Sequence, residues 1–425
     1  MIVNGDDYKE FVLDNGLQVG IKLTPALTSY GYLSIHSGTV HEEPGEEGLA
    51  HFLEHCLIGG GTRKFSPDLT RAITSRFDWY NAQTAFEETR IIVDILTEDI
   101  PLFLDYAAEV AFNPTLDQKI VDQERQRVLR EIADNKSSPE FVAMREYRNK
   151  VFGSHPVNRY GLGSEDIVRN TTREDLEKIH KRRFGASNMK LILVGAMPDD
   201  IETLVHENFA NKPTGEKKEP NIYPKLESLE ETFVLERSAP ELLNRDSPKE
   251  STAIMLIAAH APSYEDEDYR KVQLLSTVLG EGANSRLFRE LSMQRGLVYS
   301  VSADYDGSNN AGLISINGKI AANKTDEARE AIFNVFKDLR ERKISETELA
   351  QIRKRARYQV AKSFESNSGI AGAIWKRWIW DITPESYLAE LDAITVNDIR
   401  EMANKYLAED ATYGILIRNP LKKDK

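Results

Sequence analysis

Within "GLAHFLEHCLIGGGT", Gly48 to Thr62, two histidines and a glutamate fall inside five positions: His51, Glu54 and His55. The chain has only eight histidines in 425 residues, so a pair four apart calls for a reason. On a helix, a residue four positions on lies about 40° around the axis, and one three positions on lies about 60° to the other side. His51 and His55 would then point the same way, one turn apart, and could share a single metal ion. Glu54 would sit beside them, able to touch a water on that ion without binding it. This is the reverse of the commoner HExxH order. A catalytic zinc site combines three protein ligands with one open position, so a third ligand must come from elsewhere. The competing reading is a surface feature or a hydrogen-bonded core pair.

A second stretch supplies candidates. "DQERQRVLREI" places Glu124 and Glu131 seven residues apart, nearly eclipsed on one helical face. One carboxylate could bind the metal while the other orients a ligand histidine. Spacing alone leaves Asp122, Glu124, Glu131 and Asp134 all open, and most charges on such a helix serve solvation. Cys56 lies about 140° around the helix from His51, which makes it a small core residue rather than a ligand.

The elements that must position these groups follow from periodicity. Glu10 to Leu13 and Leu17 to Lys22 flank the turn "DNG" and predict a hairpin. "YGYLSIHSG" reads as a third strand, "FDWYNAQTAFEETRIIVDIL" as one or two more, and "MKLILVGA" as a buried strand closing the first half. Amphipathic helices are predicted from Pro101 to Phe112 and from Leu116 to Asn135. Between Asn211 and Glu231 the chain holds three prolines, many charges and little apolar periodicity, the signature of a linker. The second half resumes with the strand "AIMLIAAHA", followed by helices and a hairpin across Gly312. "AIWKRWIW", with Trp375, Trp378 and Trp380, reads as a packed helix face, and "RKRARYQVAK" as a solvated one.

The halves echo each other. Thr172, Asp175, Leu176 and Ile179 precede "MKLILVG" at the same spacing at which Thr395, Asp398, Ile399 and Met402 precede "ATYGILI". Threonine N-caps account for part of this; the matching apolar positions and the strand that follows point to duplication and to two similar α+β domains. The expected boundaries are 1–212, a linker over 213–231, and 232–425.

Composition narrows the setting. A net charge of −13 argues against a nucleic-acid partner. No apolar run is long enough to span a membrane. The first residues carry neither the basic nor the apolar region of a secretory signal, and the single cysteine, Cys56, suits a reducing cytoplasm.

Taken together, "LDNGLQV", "HSGTVHEEPGEEGLAHFLEH", "NAQTAFEET", "ERQRVLREI", "LGEGANSRLFRELSMQRGLVYSV" and the two T-x-x-D segments resemble the pitrilysin/insulinase family of zinc peptidases. The likeness covers nearly the whole chain and is greatest to the processing-peptidase-like branch. It implies two related α+β domains, each a mostly antiparallel sheet flanked by helices, enclosing a chamber. It implies His51, His55 and Glu131 as zinc ligands, Glu54 as general base and Glu124 as the carboxylate behind a ligand. Asn81 and Ala82 would lie on the strand beside which an extended peptide docks, and Tyr299 would bind substrate near the scissile carbonyl. The family usually carries an arginine seven residues before that tyrosine, where this chain has Ser292. The expectation is therefore a zinc endopeptidase acting on peptides or unfolded segments, the catalytic subunit of a heterodimer whose related partner lacks HxxEH. A homodimer is the alternative assembly, and a catalytically silent scaffold subunit the alternative function.

Overall fold

A computed structural model of the chain describes residues 7–218, 223–308 and 310–422. It folds as two compact units, each assembled from three separate stretches. The first comprises Met1–Ala133, Arg159–Asn221 and Gln359–Pro384; the second comprises Asp134–Asn158, Ile222–Tyr358 and Glu385–Lys425. The boundaries expected from composition were continuous ranges, 1–212 and 232–425. The exchange arises because two helices bury their apolar faces far from their sequence neighbours.

In the first unit, β1 (Tyr8–Val12), β2 (Gln18–Leu23), β3 (Thr28–Ile35), β4 (Trp79–Thr84), β5 (Thr89–Leu96) and β6 (Met189–Gly195) form one sheet in the order β1-β2-β6-β3-β5-β4. Every pairing is antiparallel except β2 with β6. One face of the sheet packs on helices that include Leu49–Gly59, Ile100–Phe112 and Gln118–Ser137 around Leu33, Val93, Leu191 and Phe103. Helix Asn367–Trp380 covers the other face, over Tyr30, Tyr32, Ile92, Ile192 and Val194. With both faces buried, β6 needs apolar side chains on both sides, and its sequence is the near-continuous run "MKLILVG". Under that helix Glu88 is buried and accepts from Tyr32, Ser34 and the Trp375 indole (3.1 Å for the last).

In the second unit, β7 (Phe233–Ser238), β8 (Thr252–His260), β9 (Val298–Ser308), β10 (Ala311–Ala321) and β11 (Tyr413–Asn419) form a sheet in the order β7-β11-β8-β10-β9. Only β7 with β11 is parallel. This repeats the first sheet strand for strand once β1 is set aside: a parallel pair at one side, then three antiparallel pairings. Capping boxes at Thr172/Asp175 and Thr395/Asp398 start the helices before β6 and β11. The duplication read from the sequence is thus carried by topology as well. Helix Pro139–Phe152 covers one face of this sheet with Ala143, Tyr147 and Val151.

Four local expectations shift. The helix expected from Leu116 starts at Gln118, because Leu116 adopts a positive φ of 45° that a helix does not admit. Gly312 lies inside β10 opposite Gly307, not at the hairpin turn. The half-exposed strand β7, "FVLERS", had no legible alternation. The described part of 213–231 holds no helix or strand but is anchored: Pro213 and Thr214 accept from Ala186 and Ser187, and Tyr223 and Leu226 are buried; residues 219–222 of that stretch lie outside the described residues. Among the described residues, no helix is long and apolar enough to cross a membrane.

Candidate metal centre

Helix Leu49–Gly59 seats itself through Leu49, Phe52, Leu53, Cys56 and Leu57, all buried, which leaves His51 and His55 on a second face. Its N-cap, Gly48, takes the left-handed conformation (φ 95°) that favours glycine and offers no side-chain cap. The cap comes from outside the helix. Glu42 Oε1 accepts from the Gly48 and Ala50 amides at 3.0 and 2.9 Å, satisfying two donors at the positive end of the helix. Burial pushes the Glu42 carboxyl up to about 8, against the pull of those two amides.

Helix Gln118–Ser137 brings the carboxylates. It packs through Ile120, Val121, Val128 and Ile132, and Glu124 is buried with them. His51 Nε2 and His55 Nε2 stand 3.2 Å apart, and Glu131 Oε2 is 3.6 and 3.7 Å from the two nitrogens. These three residues form the single His/Cys/Asp/Glu group among the described residues whose ligand atoms all lie within 4.8 Å of one another. Of the four carboxylates left open by spacing, Glu131 is the one in place. Asp122 accepts from Gln118 and pairs with Arg125, and Asp134 belongs to the second unit.

The donor set fits zinc. Ligand bonds of 2.0–2.1 Å at tetrahedral angles put neighbouring donor atoms about 3.3 Å apart, close to the three separations observed. Burial and the neighbouring His55 pull His51 down to about 4, keeping its imidazole neutral and its lone pair available. Burial also acts to lower His55, but the bond to Glu124 and the carboxylates of Glu54, Glu124 and Glu131 outweigh it and raise the group. Three carboxylates converging on two imidazoles make a site that favours a cation. His55 Nδ1 donates to Glu124 Oε2 at 3.3 Å, which leaves Nε2 as the nitrogen facing His51 and Glu131. Arg127 holds Glu124 Oε1 at 2.9 Å. His51 Nδ1 is buried with no hydrogen-bond partner among the described residues, so that ring is aimed by packing and by the contacts of its Nε2, without a carboxylate behind it.

Glu54 is buried and lies outside the group of three ligand atoms, with Oε2 accepting from Thr84 Oγ1 at 2.7 Å. Burial raises its pKa, and the Thr84 bond opposes that shift. Asn81 and Ala82 lie on β4, the outermost strand; Asn81 is exposed and Ala82 faces the core. Tyr299 stands on β9, the outermost strand of the second sheet, 83% exposed. Ser292 sits in the π-helical turn Phe288–Gln294, and nearby Arg295 is paired with Glu290 at 2.6 Å.

Three contributors escaped sequence reasoning: Glu42, Thr84 and Gly59. A Cβ on Gly59 would meet Glu124 Oε1 at 2.5 Å, so the bare glycine makes room for the carboxylate behind His55.

Comparison with known proteins gives a consistent picture. The family model described as "Insulinase (Peptidase family M16)" matches residues 19–163, and "Peptidase M16 inactive domain" matches residues 170–356. The chain is similar to an uncharacterized zinc protease of Streptomyces coelicolor, 23% identical over 96% of this chain and 89% of that one. It is 27% identical to an uncharacterized zinc protease of Mycobacterium tuberculosis, over 96% and 92% of the two chains. Its fold matches the crystal structure of a protease from Helicobacter pylori with a TM-score of 0.87 at 22% identity, covering 97% of this chain and 99% of that one.

Proposed function

The chain belongs to the M16, or insulinase, family of peptidases, and from that premise we propose that it is a zinc-dependent endopeptidase acting on peptides or unfolded segments. The observation that carries this reading is the convergence of His51 Nε2, His55 Nε2 and Glu131 Oε2, with Glu54 beside them and outside the ligand set. Those three atoms would hold the ion. When bound, zinc supplies Lewis acidity, making water a nucleophile near neutral pH and polarising a peptide carbonyl. Glu124 keeps the proton on His55 Nδ1, so that Nε2 stays a ligand. Glu54 takes the proton of the attacking water and returns it to the departing amine. A carboxyl raised by burial is suited to both transfers. The open edge of β4 at Asn81 and Ala82 holds an extended peptide through main-chain hydrogen bonds, which favours loose sequence preference.

Tyr299 is the proposed donor to the developing oxyanion, supplied to the metal site by a paired subunit. Serine at 292 offers one neutral donor where a guanidinium would offer a charged fork. A homodimer would therefore clamp the carbonyl weakly. We place this chain as the catalytic member of a heterodimer with a related subunit that carries the arginine and lacks HxxEH. The single cysteine supports a reducing, cytoplasmic setting.

The test is digestion of mixed unstructured peptides by the purified chain, with and without chelator, alone and with candidate sister subunits. Glu54→Gln is the control, keeping shape and metal while removing the base. Turnover that needs zinc, Glu54 and a sister subunit is expected. Strong turnover by the isolated chain would refute the heterodimer. A chain that binds no zinc and cleaves nothing in any pairing would be the silent scaffold instead.

A further inference from the structure

The general base is held by a group no ligand motif names. Thr84 Oγ1 lies 2.7 Å from Glu54 Oε2, 3.5 Å from the Ala50 carbonyl and 3.5 Å from Thr89 Oγ1. A hydroxyl has one proton to give. Thr89 spends its own on the Ser37 carbonyl at 2.6 Å. Ala50 and Thr89 are both at the outer limit of a hydrogen bond. The proton of Thr84 therefore goes to Glu54, as a short, charge-assisted bond inside a buried site.

That bond engages one carboxylate oxygen only. Side chains alternate along β4: Trp79, Asn81 and Gln83 are exposed, while Tyr80, Ala82 and Thr84 face the other way, towards the histidine helix and the core. The strand pairs with β5 on one edge and, among the described residues, has no strand partner on the other. Thr84 is its last residue. The strand proposed to receive the peptide and the group that orients the base are one rigid element.

We propose that Thr84 is a positioning residue: it pins Oε2 of Glu54, leaves Oε1 as the proton-handling oxygen, and ties that oxygen to the strand on which the peptide docks. The inference rests on the peptidase reading given above. Without the hydroxyl, the carboxylate keeps only the contact with the Thr84 backbone, which acts on it less than the hydroxyl does, and its broad, nearly two-fold torsion is held less firmly for the transfer. Misplacement on the scale of 1 Å costs about a hundredfold in rate.

The experiment compares Thr84→Val, which keeps the shape and removes the hydroxyl, with Thr84→Ser, which keeps the hydroxyl, in whichever form of the enzyme turns over, isolated or paired. Thr84→Ala repeats the loss without β-branching should valine crowd the strand. Four quantities are read: kcat, KM, zinc content, and the Glu54 side-chain conformation in crystals of each variant. Expected are a kcat lowered about ten- to a hundredfold in Thr84→Val, with KM and zinc content within twofold of the parent and the Glu54 carboxylate rotated. Thr84→Ser is expected within threefold of the parent kcat with Glu54 in place. A Thr84→Val enzyme at full kcat would overturn the positioning role and leave the peptidase reading standing. Equal losses in Val and Ser would overturn it too, because they would assign the effect to packing. Parent enzyme whose turnover is indifferent to Glu54→Gln would overturn both readings together.

Discussion

Replacing Gly59 by alanine tests the site at its least obvious point. The new Cβ would stand 2.5 Å from Glu124 Oε1 and 2.9 Å from its Cδ. Reaching the 3.4 Å at which ordinary contact begins moves that oxygen by about 0.9 Å. Gly59 lies one helical turn beyond His55, on the same face, so the carboxylate retreats from both. The bond from His55 Nδ1, already 3.3 Å, then exceeds hydrogen-bond range. Loss of the carboxylate behind a ligand histidine weakens metal binding by about 10- to 100-fold, or about 1.4–2.7 kcal/mol. Glycine-to-alanine within a helix otherwise stabilises by about 0.5–1 kcal/mol, so the metal-free chain should melt no earlier than its parent. That opposition of signs separates a steric effect on the site from general damage. The assay is zinc affinity by competition with a chromophoric chelator, on Gly59→Ala, Glu124→Ala and the double variant. The alanine at 59 should add nothing once Glu124 is gone. Affinity within twofold of the parent, or an undiminished penalty in the Glu124→Ala background, would refute the reasoning.

Metal analysis should find one zinc per chain, lost in His51→Ala, His55→Ala and Glu131→Gln; full zinc and full activity in Glu131→Gln would move the third ligand to Glu124. Because burial raises Glu42 to about 8, the folded chain keeps a proton that the unfolded chain sheds, and stability falls between about pH 4.5 and 8, then levels off. Glu42→Gln keeps the acceptor for the Gly48 and Ala50 amides and should flatten that slope in urea unfolding; parallel slopes for the two chains would show that Glu42 does not titrate there. Trp375→Phe removes a donor from buried Glu88 and should cost about 1–2 kcal/mol in urea unfolding, whereas an unchanged midpoint would mean that Tyr32 and Ser34 satisfy the carboxylate by themselves.

The face shared by His51 and His55 was legible because helical spacing is a local rule. So were both capping boxes and the strands whose alternation or apolar run is strong. Glu131 was not reachable by spacing, since four carboxylates shared its helix and only the fold decides which one meets the histidines. Glu42 caps a helix from six residues before its N-cap, where the usual cap position holds glycine. Thr84 meets Glu54 from thirty positions away. Neither contact leaves a periodic trace. β7 was missed because an edge strand with one half-solvated side admits charges. The discontinuous units were invisible because the amphipathic stripes of Pro139–Phe152 and Asn367–Trp380 say that each helix buries one face, without saying against which sheet.

Helix Asn367–Trp380 also sets a clock on biosynthesis. All six strands of the sheet that carries the histidine helix are complete once Gly195 has been made. The cover for Tyr30, Tyr32, Ile92, Ile192 and Val194 is not translated until Trp380. At about 5–20 residues per second, the ribosome leaves that face bare for on the order of ten to forty seconds, long against the microsecond scale of hydrophobic collapse. During that interval the nascent chain presents a broad apolar surface, and a Glu88 that still lacks its indole donor, to everything around it. A nascent-chain chaperone has a defined target there. A messenger that ends before codon 367 encodes every group of the metal centre on a sheet that has lost one wall.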